Sequence, residues 1–291
     1  VQRADGSDVD EAVQAAAAAA DRESDWRTMG PDSRRTAIHA MADAIEEMKD
    51  EIAMVESHDN GKTPFEAGLE VDMVIDTFRY YAGWTDKATG DEIPVSNSRL
   101  NYTVREPVGV TAHISPWNYP FQLAGRSVAP ALAMGNSVVL KPSEQTPLSA
   151  LYYARAAEEA GLSAGTVNVV PGIGSEAGAA LSGHEGVDHV TFTGSTGVGR
   201  TIQRSAAAAV ADVDLELGGK GPAVVFPDAD LDAASPGIQY GIFMNAGQMC
   251  WANSRVVVHE DVADELVDRM ATIAERIPLG GGIEDDGQMG P

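Results

Sequence analysis

The sequence predicts an α/β fold built on a doubly wound, parallel β-sheet. Short apolar runs, each typical of a buried strand, alternate along the middle of the chain with longer helical stretches. Such an alternation places helices on both faces of a parallel sheet. A length of 291 residues and a hydrophobic content of 44% allow one large or two ordinary domains.

The first part of the chain is predicted to be helical. Apolar residues three and four positions apart indicate two helices within residues 9–59, and an amphipathic helix follows over residues 65–89. Gly90 and Pro94 end that helix. Residues 91–107 alternate between apolar and polar side chains, which favours an extended hairpin.

Five strands and four intervening helices are predicted beyond this hairpin. The strands cover 109–114, 137–140, 166–170, 189–192 and 224–226, and the helices cover 121–134, 147–160, 175–182 and 197–208. A Rossmann-like sheet of this kind binds its ligands at the carboxyl ends of the strands. We therefore expect functional residues just after the apolar runs.

The charge of the chain limits its partners. The 44 acidic and 20 basic residues give a formal charge of -24, which repels nucleic acids and anionic membranes. Only five of the basic residues are lysines, so we expect a halophilic protein; the alternative is an ordinary acidic protein. Because no apolar stretch approaches the roughly 20 residues of a membrane span and no signal segment is evident, we expect a cytoplasmic location.

Metal chemistry is not expected. The chain has one cysteine, Cys250, which excludes an internal disulfide and a thiolate zinc cluster. Its six histidines show no spacing typical of metal ligands.

Three polar residues follow apolar runs in segments rich in small residues or proline. Cys250 follows Gly247-Gln-Met, Glu216 precedes two glycines, and Asn118 lies between prolines. Each has an ordinary structural explanation, since a lone cysteine is usually buried and inert, a strand carboxylate is usually solvated, and asparagine is common in turns.

Two further segments suit a dinucleotide. Lys141 and Glu144 follow one strand, where a cation and a carboxylate can reach ribose oxygens. Gly194, Ser195 and Gly199 lead from another strand into a helix, whose free amides and dipole favour a phosphate. The glycine spacing differs from G-x-G-x-x-G, so the glycines alone indicate a Rossmann site only weakly.

Together, and in this order, the five segments resemble the aldehyde dehydrogenase superfamily of the non-acylating type. The matching motifs are Pro-Trp-Asn at 116–118, Lys-Pro-Ser-Glu at 141–144, Phe-Thr-Gly-Ser at 192–195, Leu-Glu-Leu-Gly-Gly-Lys at 215–220 and Gly-Gln-x-Cys at 247–250. The separation of 34 positions between Glu216 and Cys250 is also similar to that of the family.

The resemblance implies oxidation of an aldehyde to a carboxylic acid with NAD(P)+. Cys250 is then the nucleophile, and Asn118 together with the Cys250 amide stabilises the oxyanion. The resulting thiohemiacetal loses a hydride, and Glu216 activates the water that hydrolyses the thioester.

The resemblance also assigns the cofactor contacts. Lys141 and Glu144 lie at the adenine ribose, while Gly194, Ser195 and Gly199 lie near the pyrophosphate. Trp117 is a further cofactor contact. A carboxylate at the ribose 2′ position favours NAD, and NADP remains possible because Lys141 is close by in sequence.

By resemblance, residues 1–88 and 108–217 form the NAD(P)-binding domain and residues 89–107 an oligomerisation hairpin, used in a homo-dimer or homo-tetramer. Residues 218–291 are then the N-terminal part of a catalytic domain. The family's Glu-x-Phe-Gly-Pro segment is absent, so the resemblance implies a truncated chain. We expect such a chain to be inactive or to aggregate by itself, through exposed sheet edges.

The substrate stays open at this stage. Arg126 and Met244 occupy positions that line the substrate tunnel in the family. A cation at Arg126 disfavours betaine aldehyde, and only half of the two-arginine site of succinate-semialdehyde dehydrogenases is present. Aliphatic, aromatic and semialdehyde substrates all remain.

Three other functions compete with this hypothesis. A cysteine hydrolase or acyltransferase needs a histidine near the thiol, and none lies close to Cys250 in sequence. An acylating or phosphorylating relative would not need Glu216 for water. A binding scaffold would not need Cys250, Glu216 and Asn118 together.

Overall fold

A parallel five-stranded sheet forms the centre of the protein. A computed structural model describes residues 3–281, 283 and 287–291. The strand order is β3-β2-β1-β4-β5, and every pairing is parallel. The strands are β1 Val110–Ile114, β2 Ser137–Lys141, β3 Val167–Val169, β4 His189–Gly194 and β5 Asp212–Leu217. The predicted α/β fold with a parallel sheet is therefore confirmed.

The fifth strand of this sheet differs from the prediction. We expected residues 224–226 in that place, but β5 occupies it, and its side chains alternate between exposed and half-buried. An edge strand needs only one apolar side, so it lacks the continuous apolar run used to recognise the other strands.

The first part of the chain contains four helices before the predicted amphipathic one, and the prediction of two helices was wrong. Pro31 begins α3 because proline suits a first helical position, and Met48 separates α3 from α4. The helices are α1 Gly6–Ala20, α2 Asp25–Thr28, α3 Pro31–Glu47, α4 Lys49–Asn60 and α5 Pro64–Ala82.

Four helices connect the strands of the main sheet near the predicted positions. They are α6 Pro120–Ala133, α7 Leu151–Glu159, α8 Ala179–Ser182 and α9 Thr196–Ala209. The predicted start at residue 175 falls in a π-helical turn, Gly174–Gly178, which precedes α8.

Both faces of the sheet are covered, because successive residues of a strand point to opposite sides. Val138 and Leu140 pack with Phe78, Phe121 and Tyr153 in a core formed with α3 to α7. Val139 points the other way and packs with residues of α1, α8 and α9. Both faces of β2 are therefore buried.

The predicted hairpin is much less regular than expected. One antiparallel bridge joins Glu92 and Tyr102, and the Ile93 amide donates to the Asn101 carbonyl at 2.8 Å. The chain does double back, but residues 91–106 are exposed, so no buried face stabilises longer strands.

A second parallel sheet follows the main one. It pairs β6 Ala223–Val225 with β7 Val256–Val258, which are connected through α10 Leu231–Phe243. Helix α11 Glu260–Glu275 packs against α10. Their shared core contains Val225, Leu231, Ile238 and Leu266.

Across the described ranges, no helix is long and apolar enough to cross a membrane. Nor do those ranges contain a group of three or more His, Cys, Asp or Glu residues that could hold a metal ion.

His113 makes the stability of the sheet depend on pH. It lies buried in β1, and one ring nitrogen is 2.9 Å from the Thr111 hydroxyl. Burial lowers its pKa to about 3, and His189 adds to this effect. The unfolded chain binds a proton at this side chain below about pH 6.5, whereas the folded chain stays neutral, so stability falls as the pH drops from 6.5 towards 3.

We expect His113→Leu to remove this pH sensitivity. Between pH 7 and pH 5, the free energy of unfolding of the parent should fall by about 2 kcal/mol more than that of the variant. Urea denaturation at the two pH values measures this difference, and the exposed His58→Gln serves as the matched control. Equal losses in the parent and in His113→Leu would contradict the prediction.

Candidate active site

Four segments meet at the carboxyl edge of the main sheet and enclose a cavity of about 260 Å³. They are the loop after β1, the turn from β4 into α9, the end of β5, and residues 244–250 between α10 and β7, here called the Cys250 loop. Six of the predicted site residues line the cavity: Trp117, Asn118, Gly194, Ser195, Glu216 and Cys250.

The Cys250 loop has an unusual backbone. Asn245, Ala246 and Gly247 have φ angles of 48°, 52° and 74°, in the left-handed region that few side chains adopt. A Cβ atom at Gly247 would lie 2.8 Å from the Ile242 carbonyl oxygen, so glycine is required there. The loop ends at Cys250, which is exposed and lines the cavity.

Asn118 connects the loop after β1 to the Cys250 loop. Its Nδ2 donates to the Gln248 carbonyl at 2.7 Å. Its own backbone carbonyl accepts from Lys62 Nζ at 3.1 Å and from Asn245 Nδ2 at 2.9 Å. Because an amide nitrogen carries two hydrogens, one N–H of the Asn118 side chain remains for a ligand in the cavity.

Buried charges lie directly behind Asn118. Lys62 is 3% exposed, contacts Glu70, lies 3.7 Å from Glu56 and packs over the Tyr119 ring. Burial lowers the pKa of Lys62 to about 8, despite the opposing charge of Glu56, and burial also raises the pKa of Glu56. The ion pairs therefore stabilise a cation that would otherwise be costly to bury.

Sequence reasoning missed this cluster and the role of Asn245. Thr63 and Glu66 form a capping box at the start of α5, and Thr-x-x-Glu is a recognisable pattern. That signal could have located the helix start. It could not have shown that the neighbouring charges are buried.

Glu216 reaches the cavity from β5. Its carboxylate lies 3.8 Å from the guanidinium of Arg126, which is also 3.4 Å from the Thr193 hydroxyl. Three residues further on, the Gly219 amide donates to the Cys250 carbonyl at 3.1 Å. The segments that carry Glu216 and Cys250 are thus directly hydrogen-bonded.

Lys141 and Glu144 do not line this cavity. They lie at the carboxyl end of β2, the strand next to β1. Lys141 is buried, donates to the Pro142 carbonyl at 2.6 Å and lies 3.4 Å from Glu144. Burial lowers the pKa of Lys141. Burial acts to raise the pKa of Glu144, but backbone hydrogen bonds and Lys141 hold it below its ordinary value.

The turn into α9 presents backbone amides. Ser195 caps the helix by accepting from the Val198 amide at 3.3 Å. The first amides of a helix have no partner within it. A Cβ atom at Gly197 would meet no other atom within 4 Å, so the approach to these amides is open. Unlike Gly197, Gly199 is buried within α9.

The sequence profile of the aldehyde dehydrogenase family matches residues 1–291. This chain belongs to the aldehyde dehydrogenase family. The predicted resemblance is therefore confirmed, and the cavity with Cys250, Glu216 and Asn118 lies within the matched region.

Relatives of this aldehyde dehydrogenase chain are found in bacteria and fungi. The Bacillus subtilis protein DhaS is 49% identical over 289 residues, covering 99% of this chain and 58% of DhaS. An aldehyde dehydrogenase of Emericella nidulans is 47% identical over 292 residues, covering 100% of this chain and 58% of that protein. The chain thus spans less than two thirds of the length of these relatives.

Solved structures of the family have the same fold. An aldehyde dehydrogenase from Bacillus cereus, in complex with NAD+, has a TM-score of 0.97 and is 45% identical. The similarity covers 99% of this chain and 59% of that protein.

Gly199 allows α9 to pack closely against β5. A Cβ atom there would lie 2.8 Å from Leu217 Cδ2. We expect Gly199→Ala to lower the free energy of unfolding by about 1 kcal/mol, because the added methyl group displaces the end of the Leu217 side chain. Urea denaturation measures the loss. Gly197→Ala is the matched control, since its added methyl group has free space, and an equal effect of both variants would contradict the prediction.

Proposed function

We propose that the protein oxidises an aldehyde to a carboxylic acid, with Cys250 as the nucleophile and NAD as the hydride acceptor. The observation that carries this proposal is the cavity that gathers a thiol, a side-chain amide and a carboxylate, supplied by Cys250, Asn118 and Glu216. Membership of the aldehyde dehydrogenase family supports the same reaction.

The first half of the reaction is addition and hydride loss. The Cys250 thiolate attacks the aldehyde carbon, and the carbonyl electrons move to oxygen. The remaining Asn118 N–H and the Cys250 amide stabilise this oxyanion. As the C–O double bond reforms, the former aldehyde hydrogen departs as a hydride and a thioester remains on Cys250. NAD, when bound, supplies the group that accepts the hydride.

The second half is hydrolysis. Glu216 removes a proton from water, and the oxygen attacks the thioester carbon. The C–S bond then breaks, which returns the Cys250 thiolate and releases the acid. The hydrogen bond between the Gly219 amide and the Cys250 carbonyl supports this assignment, because it links the segment of the base to that of the nucleophile.

Two features fit a dinucleotide beside this cavity. The open first turn of α9, capped by Ser195, offers amides to a pyrophosphate, as helix N-termini do. Lys141 and Glu144 would hold the adenine ribose from the neighbouring strand β2. In this arrangement Gly199 contributes through packing rather than direct contact, and Trp117 lines the cavity. NADP remains possible, because Lys141 lies beside Glu144.

We also propose the domain division of 1–88 with 108–217, 89–107, and 218–291. The exposed apolar side chains of Leu100, Tyr102 and Val104 support self-association through the 89–107 segment. The proposed substrates include aliphatic aldehydes, aromatic aldehydes and semialdehydes. Arg126 lines the cavity and would attract a substrate carboxylate, but its contact with Glu216 gives it a second role.

Asn118→Ala should lower turnover of an aldehyde by about a hundredfold or more, because removing one oxyanion donor costs roughly 3 kcal/mol of transition-state stabilisation. NADH formation from an aldehyde panel, assayed in the protein that contains this chain, measures the effect. Cys250→Ser should abolish NADH formation.

The exposed Gln14→Ala, which also removes a side-chain amide, is the control and should retain turnover. Full NADH formation by Cys250→Ser would contradict the proposed nucleophile. Ester hydrolysis by the parent without any NADH formation would instead indicate a cysteine hydrolase.

Glu144→Gln should weaken the preference for NAD. A carboxylate at the ribose repels the 2′-phosphate of NADP, so its loss should lower the ratio of kcat/KM for NAD over NADP by about tenfold. Steady-state kinetics with both cofactors measure the ratio. Glu158→Gln, an exposed carboxylate on α7, should leave it unchanged, and an unchanged ratio in Glu144→Gln would argue against the ribose contact.

A further inference from the structure

The first turn of α5 makes direct contact with the Cys250 loop, and the proposed chemistry does not use this contact. Glu66 Oε1 accepts the Asn245 backbone amide at 2.7 Å. Both residues are buried, with 9% of Glu66 and 3% of Asn245 exposed. A buried backbone amide without an acceptor is costly, so this hydrogen bond stabilises the local path of the loop.

The backbone of Asn245 needs such stabilisation. Its φ angle of 48° lies in the left-handed region, and Ala246 follows at 52°. Asparagine tolerates this conformation better than most residues, whereas alanine does not. Two successive left-handed residues are unfavourable, so contacts from elsewhere in the fold must maintain them.

The side chain of Asn245 extends the contact to the oxyanion residue. Its Nδ2 donates to the Asn118 carbonyl at 2.9 Å, while the Asn118 side chain donates to Gln248 in the same loop at 2.7 Å. Asn118 is therefore connected to the Cys250 loop at two points. One of these points is Asn245, whose backbone amide donates to Glu66.

We propose that Glu66 and Asn245 are positioning residues that set the placement of the Cys250 loop relative to Asn118. This inference rests on the proposed function, in which the Asn118 side chain and the Cys250 amide stabilise one oxyanion. Both donors must be directed at the same point, and hydrogen-bond strength falls steeply with misalignment. Glu66 and Asn245 act through Asn118 and Cys250 and do not touch the substrate.

Glu66 is itself rigidly held, as a positioning residue requires. Its other carboxylate oxygen accepts from the Thr63 hydroxyl at 3.1 Å, and its amide donates back to that hydroxyl at 3.2 Å. Lys62, which precedes Thr63, donates to the Asn118 carbonyl at 3.1 Å. The start of α5 thus contacts both sides of the proposed oxyanion site.

Three variants separate the contacts. Glu66→Leu removes the acceptor for the Asn245 amide, whereas Glu66→Gln retains a neutral acceptor of the same length. Asn245→Gly keeps the left-handed backbone and the backbone N–H that donates to Glu66. It loses the side-chain N–H that donates to the Asn118 carbonyl. Asp76→Leu, on the exposed side of α5, is the matched control.

The first measurement is steady-state aldehyde oxidation by the protein that contains this chain. We expect kcat to fall by about tenfold or more in Glu66→Leu and Asn245→Gly while KM changes little, because only transition-state contacts are lost. Glu66→Gln should recover most of the loss. Thermal melts followed by circular dichroism should show all variants folded.

The second measurement is alkylation of Cys250 by iodoacetamide, which needs neither cofactor nor turnover. We expect it to become several-fold faster in Glu66→Leu than in the parent or in Glu66→Gln, since the loop is released. If the parent forms no NADH from any aldehyde, the proposed function fails, yet this measurement still tests the positioning role.

The inference is wrong if Glu66→Leu and Glu66→Gln match in both kcat and alkylation rate. It is also wrong if Glu66→Leu and Asn245→Gly lose activity only through a raised KM. Should Glu66→Leu fail to fold, Asn245→Gly decides, and an unchanged kcat in that variant overturns the inference.

Discussion

The Asn118 carbonyl is the acceptor on which the arrangement of the cavity depends. It receives hydrogen bonds from Lys62 and from Asn245, which belong to segments far apart in sequence. Lys62 is buried and therefore has to keep its partners, because an unpaired buried cation costs several kcal/mol. Contacts with Glu70 and Glu56 supply them. The Asn118 carbonyl thus joins the start of α5, the loop after β1 and the Cys250 loop at one acceptor.

Much of the fold could be predicted because the central strands carry a simple signal. β1 and β2 are buried over their whole length, so continuous apolar runs located them within a residue. The same criterion failed for β5, where exposed and half-buried residues alternate. The hairpin at 91–107 is less regular than predicted for the opposite reason, since its alternation is not matched by burial. Tertiary packing, which local patterns do not contain, decides both cases.

The candidate site was predictable in part. The segments carrying Asn118, Glu216 and Cys250 were found from their motifs. The parallel topology explains why Asn118 and Glu216 converge, since the carboxyl ends of the strands share one edge. The supporting residues were not predictable in this way. Lys62 and Glu66 occupy a helix start that is usually exposed, and charged residues are rarely buried, so composition argued against their presence in the interior.

Most of the bonds between the segments use backbone groups of the Cys250 loop, and one uses the side chain of Asn245. Asn118 donates to the Gln248 carbonyl, Gly219 donates to the Cys250 carbonyl, and Glu66 accepts the Asn245 amide. Side chains along the loop other than that of Asn245 can therefore change without removing these links, whereas a change in its backbone path breaks all of them. The left-handed residues before Cys250 set that path. Their strain is offset only while the three neighbouring segments stay in place, so the geometry around the thiol is a property of the assembled sheet edge and not of the loop alone.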